Sequence, residues 1–115
     1  MIGAGRIIKA YVRQYEAPIT LKAGEAVRIT KRDMWNDQHL WVWCINAAGN
    51  EGWVHESFVE IQGDHGTARR DYNALELTVS EGEIVTLLEA VGGWYWAENV
   101  AGERGWIPTE HVAAV

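Results

Sequence analysis

The chain repeats itself, and that limits its folds more than any other feature. Asn46–Val54 reads NAAGNEGWV and Asn99–Ile107 reads NVAGERGWI, so Asn, Ala, Gly, Gly and Trp recur at one offset. The same offset pairs Trp41-Val42-Trp43 with Trp94-Tyr95-Trp96, and Val59 with Val112. Upstream, ITLKAGEAVRI (Ile19–Ile29) matches LTVSEGEIVTL (Leu77–Leu87) at a slightly larger offset. The change of offset places about five extra residues of the first copy within Lys31–Leu40. Two ordered block matches mean two copies of one supersecondary unit in 115 residues. The copies divide near Gln62–Thr67, where QGDHGT is short, polar and glycine-containing, as a linker is. The predicted domains are residues 1–62 and 63–115.

Each copy reads as short strands. Val27 and Ile29 alternate with polar neighbours, as do Val85 and Leu87. Gly24 and Gly82 sit between polar residues and suit tight turns that need positive φ. Trp-x-Trp, then Ala-Gly, then Gly-Trp predicts a hairpin that turns at the first glycine. No window sustains a helical period. Strand alternation puts Tyr95 and Ala97 on one face and Trp94 and Trp96 on the other. Cys44 and Ala97 hold equivalent positions and are expected in the core, with Trp94 exposed. Copies of about 50 residues with five short strands suit small barrels, whose closure hides the strand edges.

Composition removes several functions. The hydrophobic share of 48% excludes disorder as the starting point. A net charge of -6 argues against a general nucleic-acid binder, which needs clustered Lys and Arg. One cysteine, Cys44, allows neither an intrachain disulfide nor a cysteine-based zinc site. MIGAGRIIKA has no apolar run of signal-peptide length, and no stretch approaches the roughly 20 apolar residues that span a bilayer. These features lead to the expectation of a cytoplasmic protein without membrane contact. Seven Trp beside one Phe is the unusual entry in the composition, since Trp suits both strands and binding faces.

At the level of motifs the second copy resembles the Src-homology 3 (SH3) family over almost its full length. ARRDY (Ala68–Tyr72) stands where that family has its ALYDY strand, and ELTVSEGE (Glu76–Glu83) is similar to its diverging turn. Gly93-Trp94-Tyr95-Trp96-Ala97 resembles its G-W-W-x-A strand, and Gly105–Val112 resembles G-Y-I-P-S-N-Y-V. The first copy is similar but more diverged, with His55 in the proline position and Phe58 in the last tyrosine position. The resemblance implies an all-β fold of two tandem five-stranded SH3-like barrels. It also implies a groove that binds proline-rich segments as polyproline II helices. Carried over by position, the second groove is Tyr72, Trp94, Trp106, Pro108 and His111, and the first is Tyr15, Trp41, Trp53 and Phe58. Arg70 replaces the first tyrosine of ALYDY and His111 the late one, so one proline pocket is expected to be remodelled. The loop after Tyr72 is short, and Glu76 alone remains of its usual acidic residues.

Other candidates carry less. The histidines at 39, 55, 65 and 111 lack metal-ligand spacing. Asp64-His65 has acid–base chemistry but no accompanying nucleophile. Gly3-Ala4-Gly5 lacks the third glycine of a nucleotide fingerprint. Asp33–His39 is read as a longer n-Src-type loop, with Trp35 either reaching a ligand or capping the loop. Residues 1–62 carry seven Lys/Arg and seven Asp/Glu, and residues 63–115 three and nine, so the acidic excess lies in the second copy. That excess suits steering of a basic peptide. The expected function is a non-enzymatic module, without metal or cofactor, binding a protein or a basic, proline-rich peptide. The alternative is an assembly role, with the aromatic faces buried between the barrels or in a homo-oligomer. Exposure of Trp94, Trp106 and Tyr72 separates the two.

Overall fold

In a computed structural model that describes residues 2–14, 18–35 and 37–115, the chain is all-β and has two five-stranded antiparallel sheets. The strands are β1 (Gly3–Ile7), β2 (Thr20–Leu21), β3 (Ala26–Trp35), β4 (His39–Ile45), β5 (Glu51–His55), β6 (Val59–Gln62) and β7 (His65–Ala68). They continue with β8 (Tyr72–Asn73), β9 (Ile84–Val91), β10 (Trp94–Glu98), β11 (Arg104–Pro108) and β12 (Val112–Ala114). One-turn 3₁₀ helices, Glu56–Phe58 and Thr109–His111, precede β6 and β12.

The sheets do not follow the repeats. One has the order β11-β10-β9-β1-β12, the other β5-β4-β3-β7-β6, and β2 pairs with β8. The first strand of copy one therefore completes the sheet of copy two, and the first strand of copy two completes the sheet of copy one. The chain divides into unit 1, residues 1–16 with 75–115, and unit 2, residues 17–74. A border near residue 62 separates the sequence repeats, but it is not where the compact units part. QGDHGT is no linker: Gln62 pairs with His65, and Gly63 (φ 64°) and Asp64 form a two-residue turn inside the sheet of unit 2.

Register shows how closely the exchange is mirrored. Ile7 lies opposite Val112, and its N–H and C=O bond Glu83 O and Gly82 N. Ala68 lies opposite Val59, and its N–H and C=O bond Glu25 O and Gly24 N. The two residues fill the same place in different units, yet they differ by a whole side chain. Ile7 is fully buried in a core with Leu77, Val79, Val85, Leu87, Ala97 and Ile107. An alanine there would leave a cavity costing about 2–5 kcal/mol. The size of residue 7 thus selects copy one's strand for unit 1.

The strand phase is as expected: Cys44 and Ala97 are fully buried. Gly24 and Gly82 have φ of 87° and 89°, as the diverging turns require. Gly105 allows close approach, since a Cβ there would stand 2.6 Å from Leu77 N. The extra residues of copy one do not form a loop throughout. Asp33–Trp35 extend β3, and Trp35 pairs with His39 at the start of β4. The long hairpin is the result.

Two predictions follow from the core. Residues 63–115 alone lack Ile7 and the strand between β9 and β12, so they should melt without the cooperative transition of the full chain. A synthetic peptide of residues 1–14 should restore the transition; a cooperative fragment with the full chain's midpoint would show the exchange to be dispensable. Burial pushes the Cys44 thiol up to about 11, so the native protein should resist thiol reagents at pH 8 and react once unfolded.

Candidate functional site

Exchange changes which aromatics meet. In unit 1, β10 and β11 set Trp94 opposite Pro108 and Trp96 opposite Trp106. Tyr11 and Trp94 pack edge-to-face, with centroids 5.9 Å apart and planes at 81°, and Tyr11 also packs on His111 at 5.3 Å. Its strand continuation is held by a bridge to Val79, the counterpart of the pairing between Tyr72 and Leu21 in unit 2. The Tyr11 hydroxyl donates to Glu76 Oε1 at 2.9 Å, and the same oxygen accepts from Gln14 N at 2.7 Å. Arg13 Nε donates to the Glu76 carbonyl at 2.9 Å. His111 Nδ1–H donates to Lys9 O at 3.0 Å, which fixes its ring behind Tyr11.

The residues expected to form the second groove are placed as follows. Tyr72 belongs to unit 2, and in unit 1 it is Tyr11 that packs on Trp94. Trp106, expected to face a ligand, is 8% exposed and packs on Trp96 at 5.2 Å. His111 is buried to a similar degree. Trp94 and Pro108 are half-buried rather than open. The signal for Tyr11 was present in IIKAY, which has the same spacing of a base and a tyrosine as ARRDY.

In unit 2, Trp41 lies opposite His55, and Trp43 opposite Trp53. Trp41 meets His55 edge-on at 5.1 Å, and Trp35 of the long hairpin packs on Trp41 at 6.2 Å. Phe58 and Tyr72 pack at 4.6 Å and are 3% and 7% exposed. The Arg70 guanidinium lies 4.1 Å from the Phe58 ring centre, a cation–π arrangement. The Tyr72 hydroxyl donates to Trp53 O at 3.0 Å. Trp43 is held by its N–H to Glu51 Oε1 at 2.8 Å and by Lys31 over its ring. Among the described residues, Trp41 Nε1 is the buried side-chain polar atom without a hydrogen-bond partner. Tyr15 lies outside the described residues.

The fold also joins two histidines that are distant in sequence. His55 caps the 3₁₀ turn, with Ser57 N donating to its Nδ1 at 3.2 Å. Its proton therefore sits on Nε2, which donates to His39 Nδ1 at 3.3 Å. Burial first, then the neighbouring His39, lower the His55 pKa, and Glu56 opposes them. His39 and His55 form no larger cluster: no group of three or more His, Cys, Asp or Glu among the described residues is placed to hold a metal. Asp64 and His65 pair at 2.6 Å on the exposed turn of unit 2.

Charge is shared differently once the units are drawn. Unit 1 has four Lys/Arg and eight Asp/Glu, net -4; unit 2 has six and eight, net -2. The contrast between the copies is softened because residues 1–16 carry three Lys/Arg and one Asp/Glu into unit 1, whereas residues 63–74 bring two of each into unit 2.

The lowered His55 pKa has a direct consequence. The unfolded chain binds a proton at His55 near pH 6.5, whereas the folded chain binds it only at lower pH. The stability conferred by neutral His55 is thus complete above about pH 6.5 and declines as pH falls toward the folded value. His55→Asn keeps an acceptor for Ser57 N and does not titrate. Thermal melts from pH 7.5 to 5 should show a smaller fall for this variant than for wild type, and equal falls would remove His55 as the cause.

Set against known families, the chain matches the family model described as variant SH3 domain twice, over residues 4–62 and 66–115.

Proposed function

From a chain that belongs to the variant SH3 domain family, we propose a non-enzymatic module that binds proline-rich protein segments, with unit 1 as its principal groove. Domains of this type generally mediate protein interactions. The observation that carries the reading is the row formed by Tyr11, Trp94 and Pro108. Tyr11 meets Trp94 edge-to-face, Pro108 lies opposite Trp94 in the β10–β11 ladder, and all three are half-buried. A polyproline helix has few conformers to lose on binding, and its rings pack on such faces. Trp94 also brings an indole N–H that suits a ligand carbonyl. Glu76 lies beside Tyr11 and gives unit 1 an acidic edge, as a basic ligand residue requires.

Trp106, Tyr72 and Phe58 are buried within the single chain, so the reading rests on Tyr11, Trp94 and Pro108. Among the described residues no helix is long and apolar enough to cross a membrane.

The test is titration of a basic proline-rich peptide. A buried aromatic anchor typically costs on the order of 2 kcal/mol when truncated, so Trp94→Ala should weaken binding about 30-fold. Tyr11→Ala should also weaken binding, and Tyr72→Ala should not act through unit 1. Association should slow with added salt if charge steers the ligand. Unchanged affinity in a folded Trp94→Ala variant would favour assembly.

A further inference from the structure

The two tyrosines delivered by the exchange are settled differently. In unit 2 the Tyr72 ring packs on Phe58 at 4.6 Å and is 7% exposed, and its hydroxyl donates to Trp53 O. In unit 1 the Tyr11 ring packs on His111 and stays half-buried beside Trp94. The oxygen of Trp106, the repeat counterpart of Trp53, accepts from Leu77 N at 3.0 Å. The Tyr11 hydroxyl donates instead to Glu76 Oε1 at 2.9 Å. The repeat has Pro18 where Glu76 stands, because Ile19 matches Leu77. Proline carries no side-chain acceptor, so unit 2 cannot hold its tyrosine from that position.

Glu76 is itself fixed. It bridges Trp106, and two bonds flank it, Trp106 N to Leu75 O at 2.9 Å and Leu77 N to Trp106 O. Trp106 belongs to β11, the strand that ends in Pro108. The carboxylate therefore stands on the same frame as Pro108 and, through the β10–β11 ladder, Trp94. The segment after Tyr11 is held by side chains of this frame. Tyr11 N and O pair with Val79, but Arg13 N donates to Thr78 Oγ1 at 3.1 Å and Gln14 N to Glu76 Oε1 at 2.7 Å. Arg13 Nε donates to the Glu76 carbonyl at 2.9 Å. One carboxylate oxygen thus receives both the phenol of Tyr11 and the main chain at Gln14. Charge-assisted bonds of this kind restrain the ring and its backbone together.

We propose that Glu76 is the positioning residue of unit 1. Its Oε1 fixes the Tyr11 ring beside Trp94, so that the row of Tyr11, Trp94 and Pro108 is formed before a ligand arrives. The proposal rests on the reading of that row as a peptide groove. A ring already held in place loses less freedom on binding, which raises affinity without a new contact. This role needs an acceptor rather than a negative charge, which separates it from attraction of a basic ligand residue.

The test reads two signals from the full chain. In the free protein, NMR contacts between the Tyr11 and Trp94 rings report the placement. Titration with the neutral peptide acetyl-hexaproline-amide, followed at the Trp94 indole N–H, reports the groove. Glu76→Ala should lose the ring contacts and bind the peptide about tenfold more weakly. Glu76→Gln retains an oxygen acceptor and should restore the contacts and most of the affinity. Tyr11→Phe keeps the ring and removes the donor. It should lose about as much affinity as Glu76→Ala, and the double variant no more than either alone. Thermal melts check that each variant folds. Intact ring contacts in Glu76→Ala, failure of Gln to restore them, or additive losses in the double variant would overturn the positioning role. If hexaproline does not move Trp94 in the wild type, the groove reading falls. The ring contacts of the free variants then still decide whether Glu76 places Tyr11.

Discussion

Everything in unit 1 depends on one strand being seated between two others. β1 pairs with β9 on one side and β12 on the other, and it delivers Ile7 into the centre of the core. Backbone pairing alone does not choose β1 for this place, because β7 offers the same ladder and the same small glycine opposite the core valine. Gly5 faces Val85 as Gly66 faces Val27. The choice is made by volume. Ile7 fills a space that Ala68 would leave empty, and interiors tolerate little empty space. Gly5 and Gly66 are packed alike: a Cβ would stand 2.5 Å from Val112 Cγ1 at one and 2.7 Å from Val59 Cγ2 at the other, so these positions do not tell the two strands apart.

That seating decides the sites. A strand carries its following residues with it, so exchange of β1 and β7 also exchanges Lys9–Tyr11 and Arg70–Tyr72. Tyr11 arrives beside Trp94 and His111, and Tyr72 beside Phe58. Each aromatic surface is then assembled from both copies of the repeat. The Arg70 guanidinium reaches Phe58 for the same reason.

Much of this was legible in the sequence, and the part that was not has a clear cause. The alternation of Trp94-Tyr95-Trp96-Ala97 and of Trp41-Val42-Trp43-Cys44 gave the inward residues correctly, because a strand with one buried face has its phase set by small or apolar side chains. Gly24 and Gly82 marked their turns because only glycine enters that φ region without strain. The partner of a strand is a different matter. Hydrogen bonds between backbones carry no sequence label, and a repeat supplies two candidates for every edge. QGDHGT resembled a linker for a related reason: glycine and polar residues serve a tight hairpin as well as a tether. The resemblance, applied one copy at a time, does not reveal Tyr11 as the tyrosine that packs on Trp94, and it does not reveal that Trp106 packs on Trp96 across the β10–β11 ladder.

The His39–His55 pair shows how function can enter through such an arrangement. Neither residue stands out in sequence, separated as they are by the whole β4–β5 hairpin. Ladder register brings Trp41 opposite His55, and the long β3–β4 hairpin brings His39 into reach. The cap to Ser57 then settles which nitrogen of His55 holds its proton, and His39 receives the resulting donor. Unit 1 has Pro108 at the corresponding place, which cannot titrate and offers only a ring face. Two copies of one fold thus reach different surface chemistry by a few substitutions. Pro108 places no titratable group beside Trp94, whereas His55 places an imidazole beside Trp41.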